Sequence, residues 1–166
     1  AFADASSAVP KKEDRVKAEA HLSVDKLPPG QECQILIRLV VQPGWHVNSN
    51  PAKPDNYVAT EVTFKGKNGT KLADVTYPKG KQIRMKDADE PVSVYDGKVD
   101  IFGTLEVPAS AAGTTETMEI AIRYQACDDS KCLLPATIKL SGKLPVAKPG
   151  EPVRAINEKL FKPQDE

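Results

Sequence analysis

The sequence of 166 residues lacks long hydrophobic runs, an excess of charge of either sign, and any cysteine beyond three. No stretch approaches the ~18 apolar residues that a membrane-spanning helix needs, and the most apolar run, residues 35–41, is interrupted by Arg38. Lys and Arg together number 23, as do Asp and Glu, so the positive excess of nucleic-acid binders is missing. There is no Ser-His-Asp order, no phosphate-cradling glycine loop and no Cys/His cluster with metal-site spacing. We therefore expect a globular chain with no nucleic-acid partner and no cofactor.

Proline is frequent, with 14 residues against 10 glycines, and helical periodicity is scarce. Apolar and polar residues instead alternate with a period of two, which is typical of half-buried strands. The alternating segments are residues 16–24, 33–41, 61–64, 72–77, 99–107, 118–124 and 138–140. Roughly seven or eight strands joined by turn signals predict an all-β chain folded as an antiparallel β-sandwich. An up-and-down barrel fits less well because the connections are long and unequal.

Three stretches between these strands have a less regular pattern. Residues 45–58 are irregular, and His46 within them is interpreted as a hydrogen-bonded loop residue rather than a metal ligand. Residues 79–97 are polar without a clear period, and their basic run is interpreted as part of a solvated mixed-charge loop. Asn68-Gly69 predicts a tight type I′ hairpin between two strands, because both central residues of that turn need positive φ.

The chain is expected to have three parts. Residues 1–12 are small and polar, and we expect a disordered leader. Its first residues, Ala1-Phe2-Ala3, fit the end of a signal peptide and equally an arbitrary starting point. Residues 13–146 hold the β-sandwich domain. Residues 147–166 form a C-terminal linker or short helix, because their apolar residues recur at helical spacing.

The three cysteines are Cys33, Cys127 and Cys132, so one thiol stays unpaired if a disulfide forms. Cys33 shares a strand face with Ile35 and Ile37, which predicts a buried, inert thiol. Cys127 and Cys132 are separated by four residues. A bond that closes so short a loop contributes about 2 kcal/mol in the chain-entropy description, which is low for a structural disulfide. From spacing alone, a redox-active disulfide, a structural bridge and a metal-binding pair all remain open.

Local charge around the pair does not indicate a strongly activated thiol. Asp128 and Asp129 disfavour a nearby thiolate, whereas Lys131 favours it. We therefore expect slow reaction with small oxidants and faster reaction inside a complex with a partner protein. The metal alternative is Cu(I), held by both cysteines together with Met85 or Met118.

The residues around the cysteines are similar to those of a known family. Tyr-Gln-Ala-Cys-Asp-Asp-Ser-Lys-Cys-Leu-Leu-Pro at 124–135 resembles the active-site segment of the N-terminal domain of the DsbD thiol:disulfide interchange protein family. That family carries Tyr-Gln-x-Cys, a short acidic or polar insert, a second Cys and then Pro; the insert here is shorter than the family's. Pro-Gly-Trp-His-Val-Asn at 43–48 with residues 60–62 looks like its early strands, and residues 95–102 look like its cap loop and the next strand. The resemblance covers roughly residues 15–145.

The resemblance implies an immunoglobulin-like sandwich in the periplasm, exported and tethered to the inner membrane through a region beyond residue 166. It implies activity of the protein-disulfide reductase type. Reducing equivalents would come from a thioredoxin-like donor domain, by way of a membrane domain. They would pass to thioredoxin-fold proteins such as disulfide isomerases and cytochrome c maturation factors. Cys132 would form the intermolecular mixed disulfide and Cys127 would resolve it.

The same resemblance implies roles for residues beside the pair. Tyr124 and Gln125 would frame the site. A cap would shield the cystine until a partner displaces it, and its residues would be Val94, Tyr95, Asp96 and Gly97. Tyr95 stands alone there, where the family has adjacent aromatics. The alternatives to an exchange domain are a non-catalytic β-sandwich interaction module with a structural disulfide and a Cu(I)-binding domain.

Overall fold

The computed structural model describes residues 2–4 and 15–162, with side chains from residue 15 onward. These residues form twelve strands and two single-turn 3₁₀ helices, the latter at Ala109–Ala111 and Glu158–Leu160. The strands are β1 (Phe2–Asp4), β2 (Val16–Leu22), β3 (Glu32–Val41), β4 (His46–Asn48), β5 (Glu61–Gly66), β6 (Lys71–Thr76), β7 (Lys81–Ile83), β8 (Val92–Tyr95), β9 (Lys98–Glu106), β10 (Thr115–Tyr124), β11 (Ala126–Cys127) and β12 (Ala136–Pro145).

Two four-stranded antiparallel sheets form the body of the fold, with strand orders β2-β3-β9-β6 and β1-β12-β10-β5. Strand β10 shows how the sequence builds them: Met118, Ile120 and Ile122 are buried, while Glu119 and Arg123, which alternate with them along the strand, are exposed. Successive side chains of a strand point to opposite faces, so this alternation gives each sheet one apolar face. The predicted all-β, immunoglobulin-like antiparallel β-sandwich is confirmed.

The core joins the apolar faces of both sheets in one cluster. Each large apolar side chain that is fully buried contributes about 1.5–3 kcal/mol relative to an exposed one. The largest such side chains are those of Leu27, Ile35, Leu36, Ile37, Leu39, Ile101, Leu105, Met118, Ile120, Ile122 and Leu140. The sandwich is therefore stabilised by its own core and does not depend on a disulfide between its sheets.

A third sheet of shorter strands has the order β11-β4-β8-β7. Its strands contain two to four residues, too few to show alternation in the sequence. All residues of β4 and β8 are buried, so these strands have no exposed face to reveal a period. The expectation that residues 45–58 and 79–97 are irregular is therefore wrong for β4, β7 and β8.

The turn at Asn68-Gly69 connects the two large sheets instead of closing a hairpin. Strand β5 pairs with β10 and strand β6 pairs with β9. Glu116 of β10, at 0% exposure, holds the turn because its carboxylate accepts hydrogen bonds from the Asn68 N–H at 2.7 Å and the Thr70 hydroxyl at 2.8 Å. Gly69 has φ of +99°, as the turn requires. The predicted hairpin is wrong because these bonds direct the chain across to the other sheet.

The chain ends differ in part from the expectation. Within the predicted leader, Phe2–Asp4 form β1, which pairs with β12; residue 1 and residues 5–12 lie outside the described residues. Residues 147–157 form an irregular segment that runs alongside residues 22–27, with the Ile156 N–H donating to the Ser23 carbonyl at 2.9 Å and the Ala147 N–H donating to the Leu27 carbonyl at 2.9 Å. The helical turn within described residues 147–162 is the 3₁₀ turn Glu158–Leu160. Residues 163–166 lie outside the described residues. Across the described chain, no helix has the length and apolar character needed to span a membrane.

Candidate functional site

Cys127 and Cys132 lie at the end of the third sheet, where the chain leaves the sandwich. Gln125 links β10 to β11, and β11 pairs with β4 so that Ala126 faces Val47 and Cys127 faces His46. Cys127 and Cys132 form a disulfide with sulfur atoms 2.06 Å apart. The predicted pair is therefore bonded in the structure, and Cys33 remains a free, buried thiol.

The loop between the two cysteines is held together by its own hydrogen bonds. The Asp128 carboxylate accepts the N–H groups of Ser130 at 2.9 Å and Lys131 at 2.8 Å. These hydrogen bonds hold the pKa of Asp128 below its usual range. The Asp128 N–H donates to the Lys131 carbonyl at 2.9 Å, and the Leu133 N–H donates to the Ala126 carbonyl at 2.8 Å. The two cysteines are thus held side by side by four hydrogen bonds as well as by the S–S bond.

The two sulfur-bearing residues differ in exposure. Cys127 is 1% exposed, whereas Cys132 is an exposed residue. Next to Cys132, Leu133 is 37% and Leu134 is 88% exposed, which is unusual for large apolar side chains. A protein that approaches this surface meets Cys132 and the two leucines first.

A cavity of about 560 Å³ lies against the cystine and includes both cysteines in its lining. Its walls are formed by β4, residues 56–58, Val92 and Gln125, and by residues 85–88 of the β7–β8 connection. Residues 85–88 form a turn in which the Ala88 N–H donates to the Met85 carbonyl at 3.1 Å. The Lys86 N–H donates to the Asp129 carbonyl at 3.1 Å and so attaches this turn to the cystine loop.

His46 and Asn48 of β4 line the same cavity with unusual polar atoms. His46 is 7% exposed, and its Nε2 has no hydrogen-bond partner among the described residues. Asn48 donates from Nδ2 to the Val58 carbonyl at 2.9 Å, but its buried Oδ1 has no partner there either. Burial lowers the pKa of the His46 imidazole, although the carboxylates of Asp129 and Asp96 oppose that effect.

Comparison with known proteins identifies the family. The family described as thiol:disulfide interchange protein DsbD, N-terminal, matches residues 12–142. The chain belongs to the DsbD N-terminal family. No curated protein matches the chain.

Two solved structures match this chain. The N-terminal periplasmic domain of ScsB from Proteus mirabilis has a TM-score of 0.58 at 16% identity, and the match covers 97% of this chain and 56% of that one. This chain thus spans about half of the length of the ScsB domain. The reduced N-terminal domain of DsbD from Neisseria meningitidis has a TM-score of 0.47 at 12% identity, with 89% of this chain and 94% of that chain covered.

The residues predicted as a cap in this DsbD-family domain lie one strand away from Cys127. Val94 and Tyr95 belong to β8, and Asp96 and Gly97 form the turn to β9; β4 lies between β8 and β11. All four are absent from the lining of the cystine cavity. The Tyr95 hydroxyl instead donates to the Pro78 carbonyl at 2.7 Å and accepts from the Asn50 N–H at 3.1 Å. The structure therefore does not bring the predicted cap onto the cystine.

The predicted framing residues are placed on opposite sides of the sheet end. Gln125 lines the cystine cavity, and its side-chain amide donates to the Leu133 carbonyl at 3.1 Å. Tyr124 is 8% exposed and belongs to the hydrophobic core. Gln125 therefore orients the segment that follows Cys132, whereas Tyr124 anchors the end of β10.

The other soft donors are also separated by the fold. Met85 lines the cystine cavity, whereas Met118 is 1% exposed in the sandwich core and is absent from that lining. Burial raises the pKa of the Cys33 thiol to about 12, in accord with the expected inert thiol. Within the described part of the chain, no group of three or more His, Cys, Asp or Glu side chains is arranged to hold a metal ion. The Cu(I) alternative stays a prediction, with Met85 as its thioether.

Two features of the site were missed by sequence reasoning. His46 was expected in a loop with a hydrogen-bond partner, but it is a buried strand residue opposite Cys127. The charged side chains of Lys86 and Asp87 are exposed, as expected for a solvated loop, but the turn of residues 85–88 also forms a wall of the cystine cavity, which was not expected. A signal for the turn was available, since Met85 is the one large apolar side chain between Arg84 and Glu90.

Proposed function

We propose that this chain is a periplasmic thiol:disulfide exchange domain. It receives reducing equivalents from the thioredoxin-like donor domain of a membrane electron transporter and passes them to thioredoxin-fold proteins, such as disulfide isomerases or cytochrome c maturation factors. The carrier is a reversible Cys127–Cys132 disulfide. The observation that carries the proposal is the unequal exposure of the two bonded cysteines, with Cys127 buried and Cys132 on the surface.

Unequal exposure gives the two sulfurs different roles in exchange. In the reduced domain, the Cys132 thiolate attacks a sulfur of the partner's disulfide; a bond from Cys132 Sγ to that sulfur forms, and the partner's S–S bond breaks. Cys127 then attacks Cys132 Sγ, which restores the internal disulfide and releases the partner with two thiols. Two electrons pass from domain to partner. Recharging by the donor domain runs through the same steps in reverse, beginning with attack on the exposed Cys132.

The hydrogen bonds of the cystine loop favour repeated opening and closing. The Asp128 carboxylate and the Leu133 N–H hold the loop through bonds that do not involve sulfur. The two thiols of the reduced domain would therefore stay close together, and reclosure would cost little chain entropy. A disulfide with the sole task of stability would gain little here, because the loop is short and the core is already complete.

The surface around Cys132 suits a protein partner. Leu133 and Leu134 give it an apolar contact area, and large exposed apolar side chains are typical of interaction sites. The turn of residues 85–88 forms a wall of the cavity beside the cystine and is held to the cystine loop through the Lys86–Asp129 hydrogen bond. We assign to this turn the shielding role that the family resemblance gave to residues 94–97. The turn limits the access of small reagents to the disulfide, and a partner that binds at Cys132 displaces the turn.

A redox titration tests the proposal against a passive disulfide. The chain is equilibrated in dithiol/disulfide buffers of known potential, and free thiols are alkylated and counted by mass. A working exchange domain is expected to have a reduction potential within roughly −120 to −270 mV, whereas a passive structural bond lies below about −300 mV. A value in the second range would exclude the exchange function and leave the interaction-module alternative.

A further inference from the structure

The residue that faces Cys127 across the strand pair is His46. In the antiparallel pairing of β4 with β11, these two residues are directly opposite each other. Directly opposite residues of an antiparallel pair carry their Cβ atoms on the same face, about 5 Å apart. Both residues line the cystine cavity. The imidazole is therefore the nearest ring base to the buried member of the disulfide.

The His46 imidazole is also the group with an unexplained buried atom. Its side chain is 7% exposed, and Nε2 has no hydrogen-bond partner among the described residues. A buried polar atom without a partner lowers stability, so its presence calls for a compensating role. Asn48, two residues along the same strand, lines the same cavity, and its buried Oδ1 also has no hydrogen-bond partner among the described residues. Two unpartnered polar atoms thus border the space beside Cys127.

The proposed exchange reaction needs a base at this place. In the mixed disulfide, Cys127 must attack Cys132 Sγ, and the attacking species is the thiolate. Cys127 is 1% exposed, and burial disfavours a charged thiolate. Cys33 shows the direction of this effect in the same chain, since burial raises the pKa of its thiol. Without a proton acceptor, a thiol at position 127 would remain protonated and unreactive at neutral pH.

We propose that His46 is that proton acceptor, so that Nε2 takes the proton of the Cys127 thiol as Cys127 resolves the mixed disulfide. The inference rests on the exchange function proposed above. Cys127 S–H gives its proton to Nε2, the resulting thiolate forms the S–S bond to Cys132, and the bond from Cys132 to the partner breaks. The partner sulfur leaves as a thiolate and takes the proton of the imidazolium, either directly or relayed by a water molecule. Charge, protons and electrons balance, and His46 ends in its neutral form.

The charges around His46 suit a base that is neutral at rest and cationic for a short time. Burial keeps the imidazole neutral, and the Lys81 ammonium acts in the same direction. Three carboxylates stabilise the imidazolium once it has formed, and they come from the cystine loop and from the β8–β9 turn: Asp128, Asp129 and Asp96. The remaining titratable groups that line the cavity are Tyr57, Lys86 and Asp87.

The two sulfur steps can be followed separately with the chromogenic aryl disulfide dithiobis(nitrobenzoic acid). Attack by Cys132 of the reduced chain releases one coloured thiolate, and resolution by Cys127 releases the second. In His46→Gln, the first phase is expected to keep the wild-type rate, and the second phase is expected to slow about 100-fold at neutral pH. The deficit should shrink as pH rises, because hydroxide then deprotonates Cys127 directly. His21→Gln, at a half-buried position of β2 outside the lining of the cystine cavity, is the matched control and should leave both phases unchanged.

The outcomes separate this inference from the exchange function itself. If His46→Gln keeps the wild-type rate and pH profile of the second phase, the role of His46 is overturned and the exchange function stands. If the wild-type chain shows no second phase, the exchange function fails first. If His46→Gln does not fold, the pH dependence of the wild-type chain tests the proposal instead. The wild-type second phase must fall at low pH with the same midpoint as the His46 imidazole signals in NMR spectra, and two different midpoints would overturn the proposal.

Discussion

The backbone N–H of Lys86 donates a hydrogen bond to the carbonyl oxygen of Asp129 at 3.1 Å. This bond joins a turn between two strands of the third sheet to the loop closed by the cystine. The turn contributes residues 85–88 to the cavity beside Cys127 and Cys132. The accessibility of the disulfide therefore depends on a segment that does not belong to the hydrophobic core.

Shortening the Met85 side chain in this turn should make the disulfide more accessible. In Met85→Ala, we expect reduction of the cystine by dithiothreitol to be severalfold faster, because a small thiol reaches the sulfurs more easily. The rate is measured by quenched alkylation under conditions in which the fold is unchanged. Lys79→Ala, an exposed residue outside the cavity lining, should react like wild type. An unchanged rate in Met85→Ala would remove the turn from its shielding role.

The exposed leucine beside Cys132 should affect proteins and small reagents differently. We expect Leu134→Asp to slow electron transfer to oxidised thioredoxin by about tenfold, which corresponds to ~1.4 kcal/mol of lost contact. Reduction by dithiothreitol should keep its rate, since a small reagent makes no contact with Leu134. Val40→Asp is the matched control, because Val40 is 48% exposed on β3, belongs to a different sheet and is absent from the lining of the cystine cavity. Equal slowing by both substitutions would argue against a docking role for Leu134.

A substitution of Tyr95 tests whether this residue stabilises the fold or shields the cystine. Its hydroxyl joins the Asn50 N–H to the Pro78 carbonyl, so Tyr95→Phe leaves both groups short of a partner. We expect a loss of about 1–2 kcal/mol in the free energy of unfolding, with unchanged rates of cystine reduction. Urea unfolding and quenched alkylation give the two quantities. Faster reduction in Tyr95→Phe would instead support the cap that the family resemblance implied.

The burial of His46 predicts a pH dependence of stability. Burial lowers its pKa from 6.5, so the unfolded chain takes up a proton at higher pH than the folded chain does. This contribution to stability is complete above the unfolded pKa and decreases as pH falls toward the folded pKa, by at most about 1.4 kcal/mol per pH unit. In the oxidised chain, unfolding free energies at about pH 7.5 and about pH 5.5 should differ less in His46→Gln than in wild type. Equal differences in His46→Gln and wild type would contradict the lowered pKa of His46.

The large sheets could be predicted from the sequence because their strands are long. Strands β3 and β10 have ten residues each, and β10 alternates clearly between buried and exposed positions. Strands β4, β7, β8 and β11 have two to four residues and show no such period. These short strands form the sheet that carries the cystine, so the sequence pattern was weakest where the site lies.

Of the site itself, only the pair of cysteines that forms the disulfide could be predicted from the sequence. The spacing of Cys127 and Cys132 indicated a local pair, and the surrounding residues indicated the family. The position of His46 could not be read from the sequence, because it depends on the pairing of β4 with β11, which are far apart along the chain. Met85, a single apolar residue among charged ones, was a sequence signal that this turn has a packed side, but only the fold shows that it packs beside the cystine.

Trapping of the mixed disulfide is the most direct test of the exchange function. The Cys127→Ser chain is reduced, incubated with periplasmic extract and separated without reducing agent, and mass spectrometry locates the new bond; Cys132→Ser is the matched control. We predict a stable mixed disulfide between Cys132 and a thioredoxin-fold protein in the first chain and none in the second. Capture through Cys127 alone, or capture by neither chain, would contradict the account.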